Sequence, residues 1–251
     1  MAQPGYGGRV EGLHAVAAAA SAGRVEKLWV ESRRRRRGDV ESVVQAVSTA
    51  EVSFVDDVRP LAETEAPQGV VARCTPLASV PLVSLAEGRA AVMILDHLVD
   101  PHNVGAVARS AAAAGITGLV VSDRRAAPLS ATAFKAAAGA LERLPVAIVG
   151  SIADALRSLA GLGLWTIGLD AGGESSLFGL DLLTEPVALV VGAEGSGLSS
   201  LVRARCEVVA AIPMAGPGMS LNASVASALA AFEVMRVRGA ERPPGRDQPS
   251  A

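Results

Sequence analysis

The sequence predicts an α/β protein with two parts, a small α/β unit at the front and a larger unit built on a parallel sheet. Three observations carry this prediction. After residue 90, short continuous apolar runs alternate with alanine-rich segments of helical spacing, which is typical of a parallel sheet covered on both faces. Before residue 76, helix and strand patterns alternate on a smaller scale. Residues 76–89 contain prolines and no clear period, which predicts a linker.

The front unit, residues 1–75, is predicted from local patterns. A first helix that ends at Gly23 is predicted by GLHAVAAAASAG, and a second helix with Asp39 as its cap is predicted by DVESVVQAVSTA. The segments with strand character are KLWVE, VSFV and GVVARC.

The larger unit, residues 90–238, contains six apolar runs that are short enough to be buried strands. These runs are AAVMILD, GLVVSD, PVAIVG, LWTIGLD, PVALVVG and EVVAAIP. In such sheets, ligands bind beyond the carboxyl ends of the strands, so the loops after these runs are the places to look for a site. The final segment, residues 239–251, predicts a flexible tail.

Composition limits the classes of function. The chain of 251 residues has 23 basic and 25 acidic residues and a net charge of -2. This balance excludes a protein that coats a polyanion over its whole surface, so any contact with nucleic acid must be local. Aromatic residues make up only 3% of the chain, which argues against recognition by bases stacked on an aromatic sheet.

Cellular context is indicated by cysteines and by apolar stretches. Cys74 and Cys206 are interpreted as reduced thiols, as in a cytoplasmic protein. The start of the chain lacks a basic segment followed by a long apolar core, so no signal peptide is expected. Residues 208–232 carry no charge, but Pro213 and Gly216 interrupt them. They are interpreted as a buried strand, a loop and a helix.

The first candidate loop is DHLVDPHNVGAVARS, which leads into a helix. Its apolar stripe recurs at helical spacing, and Asn103 lies near its start, where it is either an N-cap or a functional residue. Arg109 is the only charge between Asp100 and Asp123. A lone arginine among alanines indicates a specific anionic partner, with an intramolecular ion pair as the alternative.

The second candidate loop is VVGAEGSGL, which has the glycine content of a phosphate-binding loop. It lacks the third glycine of a dinucleotide fingerprint and the lysine of a Walker loop. Glu194 would also repel a phosphate. The loop therefore suits a ligand without phosphate that the backbone approaches closely, or else it is a turn with Glu194 in an ion pair.

The third candidate loop is IPMAGPGMSLNAS, a Gly/Pro-rich segment that follows a strand ending at Pro213. Ser220 and Asn222 lie before the last helix, where either is a candidate cap, and a helix start also presents N–H groups to ligands. His97 and His102, with Asp96 and Asp100, crowd one loop and offer a metal site as an alternative, but no Glu or Cys lies nearby at ligand spacing, so no metal is expected.

The clearest basic feature is RRRRR, which comprises Arg33, Arg34, Arg35, Arg36 and Arg37. The run follows a predicted strand and precedes a predicted helix, so it is expected in an exposed loop. It suits contacts with RNA phosphates, which position RNA without reading its sequence, or it is a solvated run of charge.

Taken together, the three loops resemble the SpoU (TrmH-type) family of RNA 2′-O-ribose methyltransferases, and they occur in the order of its three motifs. The matching segments are DPHNVGAVARS, VVGAEGSGL and IPMAGPGMSLNASVASALAAFE. The front unit is similar to the small RNA-binding domain of the RlmB-like branch in the segments EGLHAV and QGVVARC. That branch modifies a guanosine of 23S ribosomal RNA.

The resemblance implies a SPOUT-like α/β fold with a C-terminal trefoil knot, S-adenosylmethionine as methyl donor, and a homodimer with the active site near the subunit interface. It implies that the donor is held by Gly192, Ile212, Met214 and Leu221. It also implies that the catalytic site is shaped by Asn103, Arg109, Glu194, Ser220 and Asn222.

The expected reaction is in-line displacement, in which a ribose 2′-hydroxyl is aligned with the methyl carbon and sulfur of the donor. Arginine is always protonated, so Arg109 is expected to hold a phosphate or to stabilise developing alkoxide charge. The same chemistry on tRNA, or as a resistance methyltransferase acting on ribosomal RNA, is an alternative. A non-catalytic RNA-binding protein is the alternative of another class.

Overall fold

The front unit is a four-stranded sheet with two helices. The computed structural model describes residues 5–47, 50–124, 126–216 and 219–239. The sheet has the order β1-β4-β2-β3, in which β2 and β3 are parallel and the other pairs are antiparallel. The elements are β1 (Arg9–Glu11), α1 (Leu13–Ser21), β2 (Val25–Glu31), α2 (Gly38–Ala46), β3 (Glu51–Val55) and β4 (Val70–Cys74).

The predicted capping role of Asp39 is wrong. Helix α2 starts at Gly38, and Arg37 occupies the N-cap position without a side-chain cap hydrogen bond. Asp39 lies inside the first turn, where its carboxylate accepts from Val40 N over 2.9 Å and pairs with the Arg37 guanidinium. A carboxylate in the first turn complements the helix dipole, so an aspartate is still favourable at this position inside the helix.

The larger unit contains a seven-stranded sheet in the order β7-β6-β5-β10-β8-β11-β9, and every pair of neighbours is parallel. The predicted parallel sheet is therefore confirmed. Its elements are β5 (Ala91–Asp96), α3 (Pro101–Ala113), β6 (Gly118–Ser122), α4 (Ala131–Ala137), β7 (Val146–Val149), α5 (Ile152–Gly161), β8 (Trp165–Leu169), β9 (Ser175–Ser176), β10 (Val187–Gly192), α6 (Ser200–Arg203), β11 (Val208–Ala211) and α7 (Ala223–Val237).

Helices cover both faces of this sheet, which is why its strands read as continuous apolar runs. All residues of the central strands β5 and β10 are buried. Alternate side chains point to opposite faces. Met93 belongs to the cluster that includes α3, α4 and α7, whereas Ile94 belongs to the cluster that includes α5 and α6.

The sheet brings its functional loops to one edge. In the parallel pairing of β5 and β10, Asp96 lies opposite Gly192, so both strands end at the same level. Helix α3 then packs on α4 at Gly105, where an added Cβ would lie 2.3 Å from the Ala133 carbonyl oxygen. Only glycine permits this approach, which fixes the start of α3 above the strand ends.

Membrane insertion of the uncharged stretch has no support in the described helices, since none is both long enough and apolar enough to cross a bilayer. Residues 208–232 contain β11, a loop and most of α7, as predicted.

Burial raises the pKa of the Cys74 and Cys206 thiols to about 11, and neither forms a disulfide. The trefoil knot stays a prediction, and residues 240–251 of the predicted tail lie outside the described residues.

A buried ion pair joins the two units. The Arg24 guanidinium donates to both Glu142 oxygens, at 2.7 and 2.5 Å, and the two side chains are only 9% and 2% exposed. Arg24 also donates to the carbonyl oxygens of Gly7 and Thr75 and lies 5.9 Å from the centre of the Phe134 ring. This buried charge is therefore paired with Glu142 of the larger unit and also hydrogen-bonded to the backbone of the front unit.

The segment between the units is packed rather than extended through solvent. Residues Leu82–Ala86 form a 3₁₀ helix. Val80 N donates to the Val146 carbonyl oxygen, and Ile148 N donates to Ser79 Oγ, each over 2.9 Å. The segment runs along the edge strand β7, so the two units are held together by the connection as well as by the ion pair.

Replacing Arg24 by methionine should strongly destabilise the protein, because Glu142 would be left as an unpaired buried charge. We expect the free energy of unfolding in urea to fall by about 3 kcal/mol. Arg157→Met, which removes an exposed pair with Asp154, should change it by less than about 0.5 kcal/mol. The double variant Arg24→Met/Glu142→Met should recover part of the loss. Equal effects of the two single variants would contradict a structural role for the buried pair.

Candidate functional site

A cavity of about 620 Å³ opens at the carboxyl edge of the large sheet. It lies among the loops that follow β8, β10 and β11. A volume of this size accommodates a ligand of a few dozen heavy atoms. Seven of the sequence-predicted site residues line it, namely Gly192, Glu194, Ile212, Met214, Ser220, Leu221 and Asn222.

Two amide side chains converge on one carboxylate oxygen at the cavity wall. Asn103 Nδ2 donates to Glu194 Oε1 over 2.7 Å, and Asn222 Nδ2 donates to the same oxygen. Asn222 Nδ2 also donates to Asn103 Oδ1 over 3.2 Å. Asn103 of α3, Glu194 of the glycine-rich loop and Asn222 at the cap of α7 thus form one hydrogen-bonded cluster, here called the Glu194 cluster. No described residue donates to the second oxygen, Oε2, which leaves it available to a ligand.

Helix capping orients the two amides. Asn222 is the N-cap of α7, and its Oδ1 accepts from Ser224 N over 2.8 Å, so its Nδ2 must point at Glu194. The predicted cap at Asn222 is therefore confirmed. The alternative of a cap at Asn103 is wrong, because Asp100 caps α3 by accepting from His102 N. Asn103 lies in the first turn of the helix, where it is buried and its amide donates to Glu194.

The glycine-rich loop approaches itself closely at Gly192. A Cβ on this residue would lie 2.1 Å from the Gly197 carbonyl carbon. Gly197 N donates to the Ala193 carbonyl oxygen over 2.9 Å, and Gly197 has φ of 66°. These contacts make a tight turn that carries Glu194 at its tip. The prediction of a loop that requires close backbone approach fits this geometry.

Asp96 anchors the same loop, a role that the sequence did not reveal. Its side chain is fully buried, and Oδ2 accepts from Ser199 N over 2.7 Å. The other oxygen lies 2.6 Å from His97 Nδ1. The carboxyl-terminal end of the loop is therefore fixed to the end of β5. The described residues contain no group of three or more His, Cys, Asp or Glu side chains suited to a metal ion.

Asp170 and Ala171 line the cavity and were also missed by sequence reasoning. They follow β8, the neighbour of β10, and so lie at the same edge of the sheet. Asp170 accepts from Gly172 N and pairs with the Arg203 guanidinium, each over 2.8 Å. The signal that was available is an aspartate directly after the apolar run LWTIGL.

The remaining wall is apolar. Ile212, Met214 and Leu221 line the cavity and are partly or largely exposed, and Met219 is 57% exposed. Such side chains at the mouth of a pocket offer apolar contacts to a ligand at little cost in folding. Ser220 lies beside them with an exposed side chain that is free for a ligand.

Arg109 lies away from the Glu194 cluster. It is exposed on α3, well round the helix from Asn103, and lines a different cleft of about 490 Å³. The alternative of an intramolecular ion pair finds no partner for it among the described residues. Among the same residues, the alternative that Glu194 forms an ion pair is also wrong, because its carboxylate accepts hydrogen bonds from two side-chain amides.

The arginine run lies between β2 and α2, as predicted, but its charges are partly neutralised. Arg33 and Arg34 pair with Glu31, and Arg37 pairs with Asp39. Arg35 lies over the Phe54 ring at 4.5 Å, and Phe54 is itself 38% exposed. Arg36 has no side-chain partner among the described residues. The run stays a predicted RNA contact.

Two family models match the chain. Residues 90–232 match the SpoU rRNA Methylase family, and residues 9–80 match a model described as RNA 2′-O ribose methyltransferase substrate binding. The two matches correspond to the larger unit and to the front unit with part of the following segment.

Two curated relatives show the extent of the similarity. An uncharacterized tRNA/rRNA methyltransferase of Synechocystis sp. is 38% identical over 244 residues, which are 92% of this chain. The 23S rRNA (guanosine-2′-O-)-methyltransferase RlmB of Xanthomonas campestris is 47% identical over 157 residues, or 62% of this chain. The chain spans 63% of the length of each relative.

Solved structures share the fold. The SpoU methyltransferase AviRb from Streptomyces viridochromogenes, in complex with AdoMet, has a TM-score of 0.79 and 28% identity, and covers 93% of this chain and 91% of its own. An AdoMet-bound rRNA methyltransferase from Sinorhizobium meliloti has a TM-score of 0.75 and 26% identity over 91% of this chain and 86% of its own. A protein studied for 2-OH methylation of C/U34 on tRNA has a TM-score of 0.52 and 32% identity, and covers 60% of this chain and 97% of its own.

With three motifs at one sheet edge and a family model that matches most of the chain, this protein belongs to the SpoU rRNA Methylase family.

Proposed function

We propose that the protein transfers a methyl group from S-adenosylmethionine to a ribose 2′-hydroxyl of RNA, with a guanosine of 23S ribosomal RNA as the target. The observation that carries this proposal is the Glu194 cluster, which unites the three family motifs at the wall of one cavity. The RlmB relative and the two AdoMet-bound neighbours support the substrate class and the donor.

The cavity fits the chemistry of the methyl donor. Its described lining contains no lysine or arginine, and it carries the carboxylates of Asp170 and Glu194. Asp170 is neutralised by Arg203, so Glu194 supplies the net negative charge. That charge disfavours a phosphate and favours a sulfonium cation. Gly192, Ile212, Met214 and Leu221 would hold the donor through close backbone approach and apolar contact.

The residues of the cluster would act by orientation. In the reaction, a bond forms between the ribose oxygen and the methyl carbon as the carbon–sulfur bond breaks. S-adenosylhomocysteine leaves, and the hydroxyl proton passes to solvent water. We assign Oε2 of Glu194 to accept the hydrogen bond of the 2′-hydroxyl, with Ser220 beside it. Because Asn103 and Asn222 fix Oε1, the carboxylate cannot rotate away, and positioning of this kind supplies much of the acceleration.

Ribosomal RNA is the favoured target because of the front unit. The neighbour studied for tRNA methylation covers only 60% of this chain, whereas the rRNA methyltransferase from Sinorhizobium meliloti covers 91%. The front unit carries the arginine run, Arg33 to Arg37, for contact with RNA phosphates. An enzyme with this substrate would act in the cytoplasm. Methylation of tRNA is the second candidate, and the assay below separates the two.

A homodimer would complete the site. On α7, Val225, Leu229 and Phe232 recur at helical spacing and are 46%, 37% and 42% exposed, which makes an apolar stripe suited to a second copy. Arg109 does not line the cavity of its own chain. We assign its guanidinium to the cavity of the second subunit, where it would hold the phosphate next to the target ribose or stabilise alkoxide charge.

Labelled methyl should pass from S-adenosylmethionine to unmodified 23S ribosomal RNA, and not to 16S ribosomal RNA or tRNA. Glu194→Gln keeps the shape of the side chain but removes its charge, and should lower the rate by about 100-fold. The label should map to the 2′-oxygen of one guanosine. Label in tRNA alone would overturn the target, and absence of label in every RNA, together with absence of donor binding, would support a non-catalytic RNA-binding protein.

Mixed dimers test the placement of Arg109. Differently tagged Arg109→Ala and Glu194→Gln chains are each expected to be inactive as homodimers. If Arg109 acts across the interface, the purified heterodimer contains one intact site out of two and should regain about half of the wild-type rate. An inactive heterodimer would place Arg109 in the site of its own chain.

A further inference from the structure

A second arginine shares the cleft of Arg109. The cleft of about 490 Å³ lies between the carboxyl-terminal ends of α3 and α4 and the start of β7, and five of its eleven lining residues are alanines. Among the described residues, Arg109 and Arg143 are the only charged side chains in its lining. Both are exposed. The cleft is therefore a small-residue groove with two guanidinium groups at its wall.

Neither guanidinium is used by the protein itself. Among the described residues, Arg109 and Arg143 have no ion pair, side-chain hydrogen bond or ring contact. The acid next in sequence, Glu142, is buried and committed to Arg24. The positive charge of the cleft is thus uncompensated by the groups around it.

Capping of the helix ends does not explain these arginines. Arginine side chains often bind the last carbonyl groups of helices. Here the backbone does so, since Ala114 N donates to the Ser110 carbonyl oxygen, Ile116 N to that of Ala111, and Ala138 N to that of Lys135. An external anion is the partner that remains for the two guanidinium groups.

We propose that Arg143, together with Arg109, forms a cleft that binds the phosphodiester backbone of the RNA substrate. Two guanidinium groups flanking one groove match two oxygens of a phosphate or two successive phosphates, and the alanine walls admit the backbone without steric obstruction. Arg143 is then a positioning residue that holds the RNA and takes no part in the chemistry. This inference rests on the proposed methylation of RNA.

The experiment measures binding of a 23S ribosomal RNA fragment to the full chain at several salt concentrations. Arg143→Ala should weaken binding about fivefold and reduce the slope of log Kd against log salt by about 0.7 to 0.9, the value of one released counterion. Arg143→Glu should weaken binding further, and Arg143→Lys should retain most of it. Arg157→Ala removes an exposed arginine from α5, on the opposite face of the sheet, and is the matched control.

Activity separates this inference from the proposed function. Under saturating RNA, Arg143→Ala should keep the wild-type kcat while KM for RNA rises about fivefold and the Kd for S-adenosylmethionine is unchanged. Unchanged RNA affinity and salt slope in an active Arg143→Ala enzyme would overturn the inference and leave the proposed function intact. Loss of the dimer in Arg143→Ala would also overturn it, since the arginine would then bind a second subunit. Failure of the wild-type enzyme to methylate any RNA would overturn the proposed function.

Discussion

The site depends on one carboxylate oxygen that accepts from two amides. Glu194 Oε1 binds Asn103 and Asn222, which belong to the start of α3 and the cap of α7. Charge-assisted bonds of this kind are stronger than those between neutral groups, so the pairing fixes the relative position of three loops. The buried Asp96 carboxylate adds to this constraint, because it accepts from Ser199 N at the end of the Glu194 loop. These bonds hold two of the segments that line the cavity, at Glu194 and Asn222, against the start of α3.

A second constraint acts at a distance from the cavity. The buried pair of Arg24 and Glu142 binds the front unit to the larger one, and the packed segment along β7 adds to it. The arginine run is thereby carried on a unit whose orientation is fixed rather than on a free tether. Because Glu142 is committed to Arg24, its neighbour Arg143 is left without an acid partner. One ion pair thus joins the two units and also leaves the positive charge of the adjacent cleft without an acidic partner.

Much of this was predictable from the sequence, and the failures have physical causes. The strands were predictable because continuous apolar runs in a parallel sheet are buried on both faces, and the cap at Asn222 because its side chain bonds locally. The sequence also allowed Asn103 to be the N-cap of α3, a role that Asp100 fills instead. The local sequence does not decide between them, because several polar residues near a helix start suit a cap equally. The anchoring role of Asp96 depends on the pairing of β5 with β10, far away in sequence, and no local pattern reports it. The exclusion of Arg109 from the cavity of its own chain depends on the packing of α3, which lies beyond sequence periodicity.

The most direct test of the account is the affinity for S-adenosylmethionine measured by isothermal titration calorimetry. Gly192→Ala places a methyl group against the backbone of Gly197, whereas Gly150→Ala meets no atom within 4 Å and is the matched control. Leu221→Asp changes an exposed wall residue and leaves the core untouched. We expect Gly192→Ala and Leu221→Asp each to weaken binding by about tenfold or more, and Gly150→Ala to bind like the wild type. Wild-type affinity in a folded Leu221→Asp variant would contradict the placement of the donor in this cavity.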